Sequence, residues 1–246
     1  WFSQKAYQPV MNAALHHRYA VMVLFIYKQP NLSVSMIISM LTLTMLFLSG
    51  FPLMMLSLFI GGAGYFISQK VMETQYQMDR ITGWLNPWAD PLNKGYNLLH
   101  SYFAIAAGGL FGQGFGHSIE KLSYLPFPYT DFIFSVICEE WGLVGGVIII
   151  GLFGLVAWRG FLIAMNCPSD FGQMLAFGIT LAITLQAVIN IAVTIGLMPV
   201  TGVTLPFVSY GGTSLLVSLM MIGVLLNISR YKIMTRYGGQ ESELDF

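Results

Sequence analysis

Tyr124-Leu-Pro-Phe-Pro-Tyr-Thr-Asp131-Phe-Ile-Phe-Ser-Val-Ile-Cys-Glu139-Glu140-Trp-Gly142 is the stretch on which the reading of the fold turns. Two prolines break the backbone, and Asp131 then stands at the mouth of a long apolar segment. Glu139 and Glu140 follow inside that segment. At 1.5 Å rise per residue, Glu139 falls about 12 Å further along a helix than Asp131. The i, i+4, i+8 spacing of Asp131, Ser135 and Glu139 puts them on one helix face. A carboxylate near the centre of a membrane span costs roughly 3 kcal/mol. Three of them together mark the place where chemistry is expected.

Composition agrees with a membrane setting. The chain is 56% hydrophobic and 9% charged, against about 25% charged in a soluble domain. Lys and Arg balance Asp and Glu, so nothing in the charge suggests nucleic acid. Half of the charged residues (Lys70, Glu73, Asp79, Arg80, Asp90, Lys94, Glu120, Lys121, Asp131, Glu139 and Glu140) fall between positions 68 and 140. Water and substrate are expected there. The two cysteines, Cys138 and Cys167, are predicted toward opposite faces of the bilayer, and neither has a metal-ligand partner at a useful spacing.

The apolar segments run outward from this stretch in both directions. Spans are predicted over 32–49, 53–67, 132–157, 172–197 and 213–228. A further apolar run over 19–27 is short against the roughly 20 residues a span needs, and its span is placed from about Val10. The basic run His16-His17-Arg18 precedes it, and Lys28-Gln-Pro-Asn31 breaks it. Residues 96–111, interrupted by His100 and Gly108-Gly109, read as a helix lying in or dipping into the membrane interface. The expected fold is all-α: a polytopic helix bundle of about six spans, one membrane domain over 1–246. A large extracytoplasmic loop is predicted over 68–131 and a cytoplasmic tail over 230–246. Arg230, Lys232 and Arg236 set that orientation by the positive-inside rule. Arg159 and Arg18 then also fall inside, and Asp131 falls at the outer surface. The sequence opens Trp-Phe-Ser-Gln, without an initiator Met, and is expected to be part of a longer protein.

Leu197-Met-Pro-Val-Thr-Gly-Val-Thr-Leu-Pro-Phe-Val-Ser-Tyr-Gly-Gly-Thr-Ser-Leu215 is the second informative stretch. Its prolines and glycines prevent continuous helix near the membrane, where irregular backbone survives only if protein or a wet cavity satisfies it. Gly211-Gly212-Thr213-Ser214 reads as the capped start of the last helix. Free N–H groups at such an end bind phosphate-like anions. A plain external hairpin accounts for the same residues, and both readings stand at this point. Gly112-Gln-Gly114-Phe-Gly116 follows no strand and opens no βαβ unit, so it reads as a close turn, not a nucleotide loop. His100 and His117 lack further ligands at a recognisable spacing, and the methionines are scattered as packing residues.

Pro199-Val-Thr-Gly-Val-Thr-Leu-Pro-Phe-Val-Ser-Tyr-Gly-Gly-Thr-Ser214 closely resembles the signature of the SEDS family, the shape, elongation, division and sporulation proteins of FtsW/RodA/SpoVE type. Gln29-Pro30-Asn31, Leu85-Asn-Pro-Trp-Ala-Asp-Pro91 with Gly95-Tyr96, and Gly108-Gly-Leu-Phe-Gly-Gln-Gly114 resemble further motifs of the family. So do Thr130-Asp-Phe-Ile-Phe134 with Glu139-Glu140, and Gln186 to Asn190. Gly116-His-Ser-Ile-Glu-Lys121 is more similar to the division or sporulation type. Asn31 stands where the family usually has Asp, and Tyr129 where it usually has His. The resemblance implies the C-terminal part of a fold of about ten spans, of which roughly four would precede this sequence.

It also implies a peptidoglycan glycosyltransferase that polymerises lipid II on the outer face of the bacterial cytoplasmic membrane, with Asp131 as the catalytic residue. A single-span transpeptidase, a class B penicillin-binding protein, is the implied partner. The chemistry is consistent with one acid. A carboxylate can take the proton of an attacking sugar hydroxyl, and a diphosphate leaving group needs charge stabilisation rather than protonation. The candidate substrate-binding residues are Arg80, Lys94, Lys121, Thr130, Glu139, Thr201, Ser209, Tyr210, Gly211, Gly212, Thr213 and Ser214. A divalent cation, Mg2+ or Mn2+, is the candidate cofactor. Glu139 and Glu140 read mainly as structural or cavity-lining. Two other functions fit the residues: a lipid II flippase, since transporters use broken helices, and a non-catalytic scaffold for the transpeptidase.

Overall fold

The computed structural model describes residues 32–123 and 125–241. The predicted span from Val10 to Tyr27, the basic flank at His16-His17-Arg18 and the Gln29-Pro30-Asn31 break lie outside the described residues, as do positions 242–246 of the predicted tail. The regular elements are all helical, with no strand among the described residues. They are α1 (Leu32–Leu48), α2 (Leu53–Glu73), α3 (Gln75–Leu85), a single 3-10 turn (Pro87–Ala89), α4 (Tyr96–Gly108), α5 (Ile119–Ser123), α6 (Ile133–Met165), α7 (Asp170–Thr194) and α8 (Gly212–Glu241).

Three of these are long and apolar enough to cross a membrane: α6, α7 and the Gly212–Arg230 part of α8. The chain is thus a multi-pass membrane protein. Among the described residues these three are joined by a shorter apolar helix in α1, and the first expected span, from Val10, lies outside the described residues. The predicted 32–49 span is α1, 17 described residues long, at the short end of the roughly 17–25 residues that cross a bilayer. The predicted 53–67 span is the first part of α2, which runs on through Gln69 and Lys70 to Glu73. The predicted loop over 68–131 is mostly helical, carrying the end of α2, then α3, the 3-10 turn, α4 and α5. The helix expected over 96–111 is α4, which stops at Gly108. The predicted tail is also helical, since α8 continues to Glu241.

Contacts group the chain into two units. Of the described residues, one unit comprises 32–62, 155–183 and 217–241; the other comprises 63–123, 125–154 and 184–216. In the first, α6 and α7 approach closely. A Cβ on Gly160 would lie 2.2 Å from the Thr180 hydroxyl, so only glycine admits this contact. Phe161 and Phe177 meet edge to face at 5.3 Å beside it, and Ala164, Ala176 and Ile183 are fully buried.

The second unit is organised around a break in α6. Gly142 has φ 69 and ψ −165 inside that helix, a conformation open to glycine alone. The break frees backbone groups that cannot be left unpaired in lipid, and residues 109–114 take them up. Gln113 N and Gly114 N donate to the carbonyls of Glu139 and Glu140, both at 3.0 Å. Leu143 N and Val144 N donate to the carbonyls of Gly109 and Leu110, at 2.9 and 3.3 Å. The glycine-rich 108–116 motif is therefore a backbone patch across a helix break. A Cβ on Gly142 would also lie 2.4 Å from the Leu110 carbonyl oxygen. Gly142→Ala is expected to destabilise the protein by about 1–3 kcal/mol. Gly151→Ala, in the same helix with nothing within 4 Å of its Cβ position, is expected to be neutral. Thermal unfolding of the two variants in detergent checks the pair.

Candidate active site

Asp131 lies in a turn just before α6, so it does not share a helix face with Ser135 and Glu139 as its spacing suggested. The Pro126 and Pro128 breaks end the chain's regular path, and Phe127 is driven to φ 56. Thr130 N and the Thr130 hydroxyl both donate to the Phe127 carbonyl, at 3.2 and 3.3 Å. A second phenylalanine, Phe207, sits at φ 65 in the segment between α7 and α8. Left-handed backbone at a bulky residue costs of order 1–3 kcal/mol and persists only where surroundings impose it.

These two segments meet. Tyr210 N donates to the Tyr129 carbonyl at 2.8 Å. The Ser209 hydroxyl donates to the Thr130 carbonyl at 2.6 Å while accepting from Leu205 N at 2.7 Å. Asn190 on α7 donates from its side-chain nitrogen to the carbonyls of Asp131 and Val203, at 2.8 and 2.6 Å. The position of a Cβ on Gly202 is 3.6 Å from Asp131 Oδ2. The irregular segment is thus docked on the Asp131 turn and is no free hairpin. Gln186, one turn before Asn190, donates to the Thr204 carbonyl and reaches its hydroxyl, at 3.0 and 3.2 Å. The Thr204 hydroxyl is in turn 3.4 Å from that of Ser214. The last helix begins at Gly212, with Leu215 N donating to the Gly211 carbonyl at 3.0 Å.

The Asp131 carboxyl is held above the ordinary carboxylate range. Burial is the largest cause; the Thr130 hydroxyl and the charge of Arg80 pull partly the other way. Arg80, on α3, stacks over the Tyr76 ring at 4.5 Å and donates to its hydroxyl. It lines a cavity of about 300 Å³ with Asn93, Lys94, Asn97, Trp84 and Val200 among its walls. The walls thus join α3, the following turn, the start of α4 and the start of the irregular segment.

Other predicted residues go elsewhere. Lys94 lines that cavity but is paired with Asp79 at 2.8 Å. Lys121 is paired with Glu140 at 2.8 Å. Glu139 is 1% exposed. Its carboxylate accepts from the Ser118 hydroxyl and from the N–H groups of Ile119 and Glu120. Ser118 also caps α5, accepting from Lys121 N at 3.0 Å. Glu139 is therefore the internal anchor of α5 and offers no open face to a ligand; the short helix that it holds leads straight into the Asp131 turn. Glu139→Gln turns one of the two acceptor oxygens into an NH2 group that faces a donor, and a loss of about 1–3 kcal/mol in unfolding free energy is expected, read as a lower unfolding temperature. Thr201 places its hydroxyl in the interior with no partner among the described residues. Tyr210 is 83% exposed, and Gly212 and Thr213 are exposed at the helix start. No group of three His, Cys, Asp or Glu side chains gathers among the described residues.

Sequence reasoning assigned no role to Asn190, Gln186 or Thr204. A signal for the first two was present: Gln186, Asn190 and Thr194 recur every four residues in an apolar span, and polar groups so placed face the protein interior. Ser101 donates to the Thr194 carbonyl at 2.8 Å, which closes that stripe.

An all-helical multi-pass membrane fold, with one raised carboxyl in a strained turn docked on a broken segment, defines the class of protein. The model of the FtsW/RodA/SpoVE cell cycle protein family matches residues 4–234. The chain belongs to that family. It is 45% identical over 210 residues to the stage V sporulation protein E of Bacillus subtilis, covering 85% of this chain and 57% of that protein. It is 44% identical over 206 residues to a probable peptidoglycan glycosyltransferase FtsW of Trichlorobacter lovleyi, covering 82% and 53%. The chain spans little more than half the length of these relatives. Among solved structures it matches a chain of a peptidoglycan synthase complex that coordinates polymerization and crosslinking, with TM-score 0.70, 31% identity, and coverage of 94% and 64%. It also matches the rod shape determining protein RodA of Thermus thermophilus, with TM-score 0.56, 28% identity, and coverage of 87% and 55%.

Proposed function

We propose that this chain carries the catalytic part of a peptidoglycan glycosyltransferase, which polymerises lipid II into β-1,4 glycan during cell-wall synthesis. The observation that carries the reading is the half-buried, raised carboxyl of Asp131 in a turn held through three successive backbone carbonyls. Asp131 takes the proton of the acceptor 4-hydroxyl as that oxygen attacks C1 of the donor sugar with inversion. A general base works best with its pKa drawn toward the working pH, and burial supplies that shift. The diphosphate leaves with its own charge, so the site needs a cation near the departing oxygens. Arg80 supports that role, because its charge already reaches Asp131 and no acid pairs with it among the described residues. A divalent cation, Mg2+ or Mn2+, belongs to the proposal: Asp131 and the substrate's diphosphate would hold it, and it would add to the charge stabilisation that Arg80 gives.

In this reading the Asp131 turn and the 68–131 segment face the outside of the bacterial cytoplasmic membrane, with the C-terminus in the cytoplasm. α4 lies at the interface. The partner is a class B penicillin-binding protein, a reading supported by the likeness to a synthase complex. The test is direct: purified full-length protein with that partner, given lipid II, is expected to yield a ladder of glycan strands on a gel. Lipid II translocation without glycan, or partner recruitment without glycan, would reject the proposal in favour of a transporter or a scaffold.

A further inference from the structure

We propose that Asn190 is a positioning residue for Asp131, its side-chain amide fixing the Asp131 peptide to the irregular segment and so aiming the carboxylate. This rests on the reading of Asp131 as the general base. Three successive carbonyls in the turn are each held by a donor: Tyr129 by Tyr210 N, Thr130 by the Ser209 hydroxyl and Asp131 by Asn190. The first two donors belong to the irregular segment itself. Asn190 is different, because it sits on α7 and joins the Asp131 carbonyl to the Val203 carbonyl at 2.8 and 2.6 Å. α6's own first bonds, from Ser135 N and Val136 N, go to the Phe132 carbonyl.

The residue type follows from the partners. Both are carbonyl oxygens, so the group between them must donate twice, and a primary amide nitrogen has two N–H groups. A hydroxyl has one donor and a carboxylate none. Asn190 is 1% exposed, and its Oδ1 accepts nothing from the described residues. If that position only needed filling, an apolar side chain would avoid a buried acceptor without a donor. Its nitrogen explains the amide.

The consequence lies in the reaction. The anchored peptide is the one that bears the carboxylate, and a misplacement near 1 Å can lower turnover about 10²-fold. Substrate binding draws on other groups, the cavity at Arg80 among them. Loss of Asn190 therefore acts on kcat and leaves KM near its original value.

The experiment compares full-length wild-type protein with Asn190→Ala, Asn190→Asp and Asp131→Asn, on lipid II, with kcat counted per folded molecule and followed across pH. Asn190→Ala is expected to lower kcat about 10- to 100-fold with KM within about threefold. Asn190→Asp keeps one O–H donor while protonated and none when ionised. Both variants keep the acid limb of Asp131, so the ratio of their kcat values is the readout: Asn190→Asp is expected to exceed Asn190→Ala at low pH and to fall toward or below it as pH rises. The titratable groups on the surrounding elements are Asp131 and Tyr129 on the turn, Tyr210 on the irregular segment, Tyr76, Asp79 and Arg80 on α3, Tyr96, His100 and Tyr102 on α4, and Cys138, Glu139 and Glu140 on α6; α7 has none from Thr184 to Thr194. A merely structural role would reduce folded yield and leave kcat per folded molecule unchanged, which overturns the proposal. A ratio of Asn190→Asp to Asn190→Ala kcat that does not fall with pH also overturns it. The two readings separate cleanly: if Asp131→Asn keeps its rate, the general-base reading falls, whereas a dead Asp131→Asn beside a wild-type Asn190→Ala removes the Asn190 inference alone.

Discussion

Asp131→Asn should abolish glycan polymerisation while leaving the protein folded. Asparagine has nearly the same shape, so the turn keeps its backbone bonds to Asn190, Ser209 and Tyr210. What it loses is the capacity to accept a proton. Positioned general-base catalysis contributes typically 10²–10⁴-fold, and a loss of that order is expected in the initial rate of lipid II consumption. Unfolding temperature should stay close to the wild-type value, since burial disfavours the ionised carboxylate that the substitution removes. Wild-type rates in this variant would remove Asp131 from the mechanism.

The second large effect concerns Arg80. Arg80→Gln removes the one cation of this cavity for which no pairing acid occurs among the described residues. Loss of a preorganised charge at a departing oxyanion costs roughly 10²–10³-fold in turnover. A second readout follows from the electrostatics. Arg80 lowers the pKa of Asp131, so its removal raises that pKa further. The base form then appears only at higher pH, and the acid limb of the rate profile must move upward. Arg80→Lys should retain the position of that limb better than Arg80→Gln, yet lose the fork and the stacking on Tyr76. An unmoved limb in Arg80→Gln would show that the charge does not act on Asp131.

Much of this site is legible in the sequence because it is written in breaks. Pro126 and Pro128 set the turn, and the prolines and glycines of 198–212 announce backbone that something must satisfy. Those signals located both halves of the site, though composition alone left the second open between a docked segment and a hairpin. What joins the halves was harder to see. The donors at Ser209 and Tyr210 lie about 80 residues from their acceptors, and no periodicity carries information over that distance. The fate of the charges was equally hidden. Lys121 is a candidate substrate-binding cation in the sequence, but Glu140 lies against it at 2.8 Å, and Glu120 has His100 at 2.6 Å. Glu139 stands among the candidate substrate-binding residues yet reads mainly as structural; the partners that hold it include backbone N–H groups, which carry no side-chain signature at all.

The break at Gly142 has a consequence for amide exchange. In an uninterrupted span, every amide proton is shielded by the same rod, and protection says little about neighbours. Leu143 and Val144 differ, because their protons are covered by Gly109 and Leu110 from a distant part of the chain. Deuterium uptake at those two positions therefore clocks the detachment of the glycine-rich strap, even while the rod itself stays wound.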